Sequence, residues 1–265
     1  MTRPAFHALY EPLGGVTGVF SDRVAAYVRS RPDYPAALFD VVIAATGLAP
    51  GSVVVDLGAG TGLMTRDWLA RGMQVCAVEP NDEMRAAADA LLGAQPGYRS
   101  AAGRAEATGL PAASADLVVA AQAFHWFDAD AARIECQRIL RARGWAALVW
   151  NDRREVDPVN EGVDAIAARH GGAARAAMAA ASRDEAPIAR FFGGHVPSPQ
   201  RFAHAQSLDV DGFASLLFSR SYMPAADSAA GQAVRSDSDA LFARLQNNGR
   251  VTVPYETLLY LGRLA

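Results

Sequence analysis

The chain has 265 residues, 51% of them hydrophobic and 20% charged, a balance that excludes wholesale disorder. Its net charge of −3 gives no basic excess, so neither a nucleic acid nor an anionic membrane is an expected partner. All 25 Lys and Arg residues are arginine, which excludes Schiff-base chemistry, a pyridoxal-phosphate anchor and a Walker phosphate-binding lysine.

The first 152 residues predict an arm followed by an α/β core. Residues 1–35 are an arm or loop region, and a helix follows at 36–46. Apolar strand-like runs then alternate with helical patterns, and Gly144 is expected to separate the last helix from the last strand. This alternation predicts βαβ units on a parallel sheet over residues 36–152. The strands are expected at 53–57, 73–79, 98–101, 115–122 and 145–150, and the helices at 63–71, 81–92 and 128–140.

After Asp152 the pattern changes. The Arg/Ala-rich stretch 153–200 predicts a helical cap inserted between strands of the sheet. Residues 201–265 are then expected to complete the sheet. They predict strands at 201–208 and 251–262, with helices at 211–218 and 228–246 between them.

The number of cysteines and the length of the apolar runs indicate whether a metal site is expected and in which cellular compartment the protein works. Cys76 and Cys136 are too few for a disulfide scaffold or a zinc site, so no metal is expected. The N-terminal residues lack the apolar core of a signal peptide, and no apolar run reaches 18 residues. We therefore expect a cytoplasmic protein.

A glycine-rich loop lies where the first strand turns into the first helix, and it reads Val-Asp-Leu-Gly-Ala-Gly-Thr-Gly over residues 55–62. Nucleotide-type ligands bind at this carboxyl end of parallel strands. A dinucleotide fingerprint needs its third glycine at position 63, where this chain has Leu63. S-adenosylmethionine (SAM) has no pyrophosphate but carries an ammonium group. Asp56 suits that group, either directly or by organising the loop.

Glu79 ends the second strand, 23 residues after Asp56. An acid at this place can accept both ribose hydroxyls of an adenosine. The alternative is that Glu79 is only a polar strand end and that the glycines form an ordinary turn. The order of strand, loop, helix, strand and acid favours the ligand site.

Four segments resemble the class I SAM-dependent methyltransferases of the type 11 group. They are VDLGAGTG, AVEP, ADLVVAAQAFHWFD and ILRARGWAALVWND. Within that group, the chain is most similar to the branch of trans-aconitate and natural-product thiol methyltransferases, and residues 20–35 and 219–224 share this similarity. The resemblance implies a Rossmann-like, doubly wound α/β fold with seven strands, parallel except for the last.

The resemblance also implies the residues that bind SAM. The glycine loop underlies the methionine and ribose, Glu79 holds the ribose, and the arm folds over the cofactor. Residues after the second strand and near position 105 lie beside the adenine, and the end of the fourth strand passes the sulfonium. The set is Tyr27, Arg31, Asp56, Gly58, Ala59, Gly60, Thr61, Gly62, Glu79, Pro80, Met84, Ala105, Glu106, Ala121, Gln122 and Ala123.

The candidate chemical site follows the fourth strand at Phe124-His125-Trp126-Phe127-Asp128. Aromatic faces stabilise a sulfonium cation, although Phe124 and Phe127 also suit a core and leave Trp126 to contact the ligand. His125 is either a general base or a structural histidine. Two more residues are candidates for the pocket, each with a structural alternative: Asn151 and Tyr222.

These residues predict a SAM-dependent enzyme that methylates a small molecule, such as a thiol or a carboxylate, in secondary metabolism. One alternative is a cyclase that converts SAM into azetidine-2-carboxylate and methylthioadenosine. A second is a SAM-binding module without activity. Leu63 speaks against a fourth class, the NAD-linked oxidoreductases. The expected partner is a small-molecule substrate.

Overall fold

A computed structural model of the chain describes residues 31–153, 156–182 and 184–264. Tyr27 and the predicted arm up to residue 30 lie outside these described residues. From residue 36 to Arg153, strands are interleaved with helices as the sequence predicts, and helices predominate over strands after that point. They are α1 (Ala36–Thr46), β1 (Val53–Leu57), α2 (Leu63–Leu69), β2 (Gln74–Val78), α3 (Asp82–Leu92), β3 (Tyr98–Ala101), β4 (Ala115–Ala121), a 3₁₀ turn (Phe124–Trp126), α4 (Ala129–Ile139), β5 (Leu140–Arg153), α5 (Pro158–His170), α6 (Gly172–Ser182), α7 (Ala186–Phe191), β6 (Gln200–Leu208), α8 (Val210–Phe218), α9 (Ala229–Leu245) and β7 (Val251–Gly262).

The strands form one seven-stranded sheet in the order β3-β2-β1-β4-β5-β7-β6. The pairs β1–β2, β2–β3, β1–β4 and β4–β5 are parallel. The predicted seven-stranded, mostly parallel α/β sheet is thus confirmed. Strand order reverses between β1 and β4, and in such sheets ligands bind beyond the carboxyl ends of the strands at this switch point. The glycine loop follows β1, and Gln122 follows β4.

The start of β5 differs from the prediction. The strand begins at Leu140, directly after α4, and Gly144 lies inside it. Ala115 of β4 pairs with Leu140 whereas Leu117 pairs with Trp145, so extra residues of β5 bulge between the two pairs. An ideal Cβ on Gly144 would lie 2.7 Å from Leu140 Cδ2, so glycine suits the crowded bulge. The predicted strand start after Gly144 was therefore wrong. Gly144 lies in a β-bulge within β5 and does not end the preceding helix.

The chain divides into two compact units. The core unit comprises Asp33–Asn151, Asp184–Phe202 and the chain from Thr257 onward. Alternate residues of β1 enter different clusters, Val54 with α1 and α2 and Val55 with α4 and α7, because successive strand residues point to opposite faces. The largest buried side chains of the core unit include Phe39 and Trp68 in one cluster and Ile139, Phe191 and Phe192 in the other.

The second unit contains Asp152–Arg183 and Ala203–Glu256 among its segments. Its own apolar cluster joins α5, α8 and α9 with the first half of β7, through residues such as Val163, Phe213, Leu217, Phe242 and Val253. Within the described residues, no helix is long and apolar enough to cross a membrane.

The stretch 153–200, predicted as a cap, contributes residues to both compact units. Helices α5 and α6 belong to the second unit, but α7 belongs to the core unit. Phe191 of α7 is buried there, with its ring centroid 5.1 Å from that of Phe124. The Arg/Ala-rich composition of the stretch concealed this short apolar helix. That α5 and α6 cap a substrate stays a prediction.

Candidate functional site

The loop between β1 and α2 takes its shape from three glycines. Gly58, Gly60 and Gly62 all have positive φ, at 67°, 58° and 84°. An ideal Cβ on Gly58 would lie 2.7 Å from Ala123 Cβ, so glycine allows this loop to approach the segment after β4. An ideal Cβ on Gly62 would meet the Leu92 side chain at 2.5 Å. Gly62 thus lets α2 approach α3, a packing role that the loop motif alone did not indicate.

Glu79 connects this loop to the end of β2. Its side chain is buried, and Oε2 accepts a hydrogen bond from the Gly60 N–H at 2.9 Å. Oε1 accepts from the Asn81 N–H, also at 2.9 Å. Burial raises the pKa of Glu79, and these two N–H donors oppose that rise. Each carboxylate oxygen has two lone pairs, so both retain capacity for a further donor such as a hydroxyl.

Asp56 in β1 is almost fully buried and accepts a hydrogen bond from the Thr65 hydroxyl at 2.6 Å. Thr65 lies in the first turn of α2. Burial raises the pKa of Asp56 to about 7, the Thr65 hydroxyl lowers it in part, and the charge of Glu79 raises it further. The Thr65 contact fits the second role suggested for Asp56, organising the loop.

The raised pKa of Asp56 predicts a specific pH dependence of stability. Folded Asp56 binds its proton more tightly than the unfolded chain does, whose pKa is near 3.8. Its contribution to the free energy of unfolding is therefore complete below that pH and is lost as the pH rises to about 7. In Asp56→Asn the amide oxygen still accepts from Thr65 but does not titrate.

We expect urea unfolding of Asp56→Asn to show a smaller fall in stability between pH 5 and pH 8 than the unchanged chain shows. Glu79 titrates in both proteins, so the comparison isolates the titration of Asp56 together with its interaction with Glu79. Equal falls in the two proteins would contradict the buried, neutral Asp56.

The segment after β2 is ordered by a helix cap. The Asn81 side chain accepts a hydrogen bond from the Met84 N–H at 2.7 Å and thereby caps the N-terminus of α3. Met84 is buried and Pro80 is half-buried. Pro80 directly follows Glu79 in the chain, and Met84 lies five residues after Glu79.

Ala105 and Glu106 lie in the connection between β3 and β4. Ala105 is buried, and Glu106 accepts a hydrogen bond from the Asp128 N–H at 2.7 Å. Asp128 in turn caps α4 by accepting from the N–H groups of Asp130 and Ala131. Glu106 therefore fixes the end of the aromatic segment that follows β4.

The aromatic residues after β4 divide into two groups. Phe124 is buried and packs edge-on against Trp150 and Phe191, so it is a core residue. His125 and Trp126 are half-buried, with ring centroids 5.0 Å apart. Phe127 lies beside the loop, 3.5 Å from an ideal Cβ on Gly58. Phe124 thus follows the core alternative, and His125 and Trp126 are the candidates for chemistry.

Gln122 joins β4 to this aromatic segment in an unusual conformation. Its φ is 58°, in the left-handed region that few residues other than glycine adopt. Its N–H donates to the Val149 carbonyl at 2.8 Å, and its side-chain Nε2 donates to the Asn151 carbonyl at 3.0 Å. Ala121 and Ala123 flank it. No pattern in the sequence indicates this conformation.

The remaining predicted residues are engaged with protein groups. Asn151 Oδ1 accepts from the Thr257 hydroxyl at 2.6 Å, and its Nδ2 donates to the Asp33 carbonyl at 3.3 Å. Arg31 and Tyr222 belong to the second unit, so their part in the site stays a prediction. Arg31 contacts the Ser219 carbonyl, and the Tyr222 hydroxyl accepts from Arg220 at 2.7 Å. Among the described residues, no group of three or more His, Cys, Asp or Glu could hold a metal ion.

Comparison with known proteins identifies the family. A methyltransferase domain model matches residues 55–148. An uncharacterized methyltransferase-like protein of Schizosaccharomyces pombe is 30% identical over 254 residues, which cover 91% of this chain and 93% of that protein. The chain belongs to the class I SAM-dependent methyltransferases. The family explains why the glycine loop, Glu79 and the end of β4 meet at one edge of the sheet.

Two further methyltransferases are similar to this chain, one in sequence and one in fold. An uncharacterized methyltransferase of Mycobacterium tuberculosis is 42% identical over 136 residues, 51% of this chain and 53% of that protein. The chain thus matches about half the length of this relative. A solved structure from Anaeromyxobacter dehalogenans, named as a candidate type II methyltransferase, has a TM-score of 0.61 and 26% identity, covering 88% of this chain and 98% of its own.

Proposed function

We propose that this chain transfers the methyl group of SAM to a small-molecule acceptor. One observation carries the proposal: the buried Glu79 carboxylate, bonded to the N–H groups of Gly60 and Asn81, lies beside a left-handed glycine loop at the switch point of the sheet. SAM supplies a methyl group on a sulfonium, which is a good leaving group. The residues present fit this molecule, because each Glu79 carboxylate oxygen accepts one backbone N–H and keeps capacity for a further donor such as a ribose hydroxyl.

The described residues have distinct proposed roles in holding the cofactor. Glu79 accepts the ribose hydroxyls, and the loop from Gly58 to Gly62 underlies the ribose and methionine. Asp56 keeps α2 in register with that loop through Thr65. Further contacts come from Pro80, Met84, Ala105 and Glu106 beside the adenine, and from Ala121 to Ala123 beside the sulfonium.

Methyl transfer asks mainly for alignment of donor and acceptor. An in-line displacement gains most of its rate from positioning, since the sulfonium needs no protonation to leave. A thiolate or carboxylate acceptor requires no base. His125 is available as a base for an acceptor that carries a proton at neutral pH. Trp126, half-buried beside His125, offers an aromatic face to the cation.

The proposed acceptor class is a small thiol or carboxylate. Support comes from the resemblance of FSDRVAAYVRSRPDYP and SRSYMP to the trans-aconitate and natural-product thiol methyltransferases. A role in secondary metabolism follows from the same resemblance. Arg31 is a candidate partner for the methionine carboxylate of SAM or for an acidic acceptor, since a guanidinium binds carboxylate through paired donors.

The test uses SAM with a deuterated methyl group and mass analysis of all products. One arm supplies small dithiols, a second supplies trans-aconitate and related carboxylates, and a third supplies SAM alone. We expect labelled acceptor and S-adenosylhomocysteine in the first or second arm. Formation of methylthioadenosine from SAM alone, above a control without enzyme, would instead support the cyclase alternative. Binding of SAM without any product in any of the three arms would support the alternative of a SAM-binding module without activity.

Trp126→Ala is expected to lower turnover with the identified acceptor by between about tenfold and a hundredfold, since a small misplacement of reactants has effects of this size. The dissociation constant of SAM should change less, by about threefold or below. Trp126→Phe keeps an aromatic face and serves as the matched control. Near-normal turnover in a folded Trp126→Ala would assign Trp126 to structure alone.

A further inference from the structure

Asn151 is the last residue of β5 that belongs to the core unit. Its hydrogen bonds join β5 to three other segments of that unit. Its Oδ1 accepts from Thr257 of β7, its Nδ2 donates to the Asp33 carbonyl, and its own carbonyl accepts from Gln122 Nε2. Asp33, Asn151 and Thr257 are also the core-unit residues at three places where the chain passes from one compact unit to the other.

The contact to Gln122 matters because of where Gln122 stands. Its φ of 58° is a strained backbone conformation for a residue other than glycine, so the surrounding structure has to hold it there. Two bonds do so, from its N–H to Val149 and from its side chain to Asn151. Both acceptors are carbonyls of β5.

The conformation of Gln122 sets the approach of the next residue to the glycine loop. Ala123 follows directly, and its Cβ lies 2.7 Å from an ideal Cβ on Gly58. The 3₁₀ turn that carries His125 and Trp126 begins one residue later, with the Trp126 N–H bonded to the Ala123 carbonyl at 2.9 Å. A shift at Gln122 therefore moves both the loop contact and the aromatic segment.

We propose that Asn151 and Gln122 are positioning residues for the methionine side of the cofactor site. Resting on the proposed function, this assignment replaces a direct contact of Asn151 with the acceptor and adds a positioning role to Gln122, which lies in the segment proposed to pass the sulfonium. Asn151 holds the end of β5, the end of β5 holds Gln122, and Gln122 holds Ala123 and the aromatic turn against the glycine loop. Glu79 and Asn81, at the end of β2, lie outside this chain of contacts.

The two assignments predict different binding of SAM in the absence of any acceptor. If Asn151 contacted only the acceptor, Asn151→Ala would leave SAM affinity unchanged. The positioning role predicts that Asn151→Ala and Gln122→Gly each raise the dissociation constant of SAM by about tenfold, the equivalent of 1.4 kcal/mol. Adenosine affinity should stay within about twofold, because adenosine lacks the methionine side.

The experiment is calorimetric titration of the full chain with SAM and with adenosine, alongside thermal melts. Gln122→Gly relieves the backbone strain, so lost affinity in that variant does not come from unfolding. Asn160→Ala is the matched control. Asn160 is buried in the second unit, and its Nδ2 likewise ties two segments by donating to the Pro254 carbonyl at 3.0 Å. We expect that variant to melt earlier but to bind SAM normally.

The double variant Asn151→Ala/Gln122→Gly completes the test. When two residues act through the same set of contacts, the loss of SAM affinity in the double variant is smaller than the sum of the two single losses. We therefore expect the double variant to lose about tenfold in SAM affinity, as either single variant does. Unchanged SAM affinity in Asn151→Ala, or fully additive losses in the double variant, would overturn the proposal. Failure of the unchanged chain to bind SAM would instead contradict the proposed function, so the two failures are distinguishable.

Discussion

Replacing Glu79 with alanine should weaken SAM binding by about a hundredfold or more. A hydrogen bond to a charged group contributes about 1.5–3 kcal/mol, and the carboxylate is proposed to accept both ribose hydroxyls. The change also leaves the N–H groups of Gly60 and Asn81 without their carboxylate acceptor, which loosens the glycine loop. The measurement is calorimetric titration of the folded variant with SAM.

Two companion variants sharpen this result. Glu83→Ala removes an exposed acid from the first turn of α3, four residues away, and should leave SAM affinity within about twofold. Glu79→Gln keeps one acceptor oxygen but turns an amide donor toward an N–H donor, so an intermediate loss is expected. Unchanged SAM affinity in a folded Glu79→Ala protein would remove Glu79 from the cofactor site.

Gly58→Ala should abolish or severely weaken SAM binding, by more than about a hundredfold, since a loop carrying the ligand is displaced. The new methyl group would lie 2.7 Å from Ala123 Cβ, closer than carbon atoms pack, and φ at this position is 67°. One of the two segments that meet at the switch point has to move. The measurement is SAM titration together with a thermal melt.

Gly47→Ala separates strain from steric conflict in this prediction. Gly47 ends α1 with a φ of 74°, and nothing lies within 4 Å of an ideal Cβ there. It should lose about 1–2 kcal/mol of stability from the left-handed conformation and bind SAM normally. Adding Ala123→Gly to Gly58→Ala removes the opposing methyl group and should restore part of the affinity. Normal SAM binding by Gly58→Ala alone would contradict the close approach.

Local signals in the sequence predicted much of the fold and of the cofactor loop. The apolar run before Gly58 and the acid at Glu79 are each recognised from neighbours close in the chain, and β1 lies at the predicted residues 53–57. Methyltransferase motifs are also concentrated in this region, so resemblance and pattern agreed.

Features that depend on distant partners could not be predicted. Asn151 meets Thr257 and Asp33 across 106 and 118 residues of chain, and no local pattern indicates such contacts. The left-handed Gln122 is fixed by carbonyls of β5, and Gly144 serves a bulge rather than a turn. Helix α7 joined the core unit because Ile188 and Phe191 are buried there, although the surrounding composition resembled that of the Arg/Ala-rich helices before it.

Titration of the full chain with SAM, with NAD as comparator, tests the central claim most directly. The claim is that the glycine loop and Glu79 hold SAM, and the measurement needs no acceptor. We predict saturable binding of one SAM per chain and no detectable binding of NAD, since Leu63 occupies the position of the third dinucleotide glycine. NAD binding tighter than SAM binding, or no binding of SAM at all, would contradict the account.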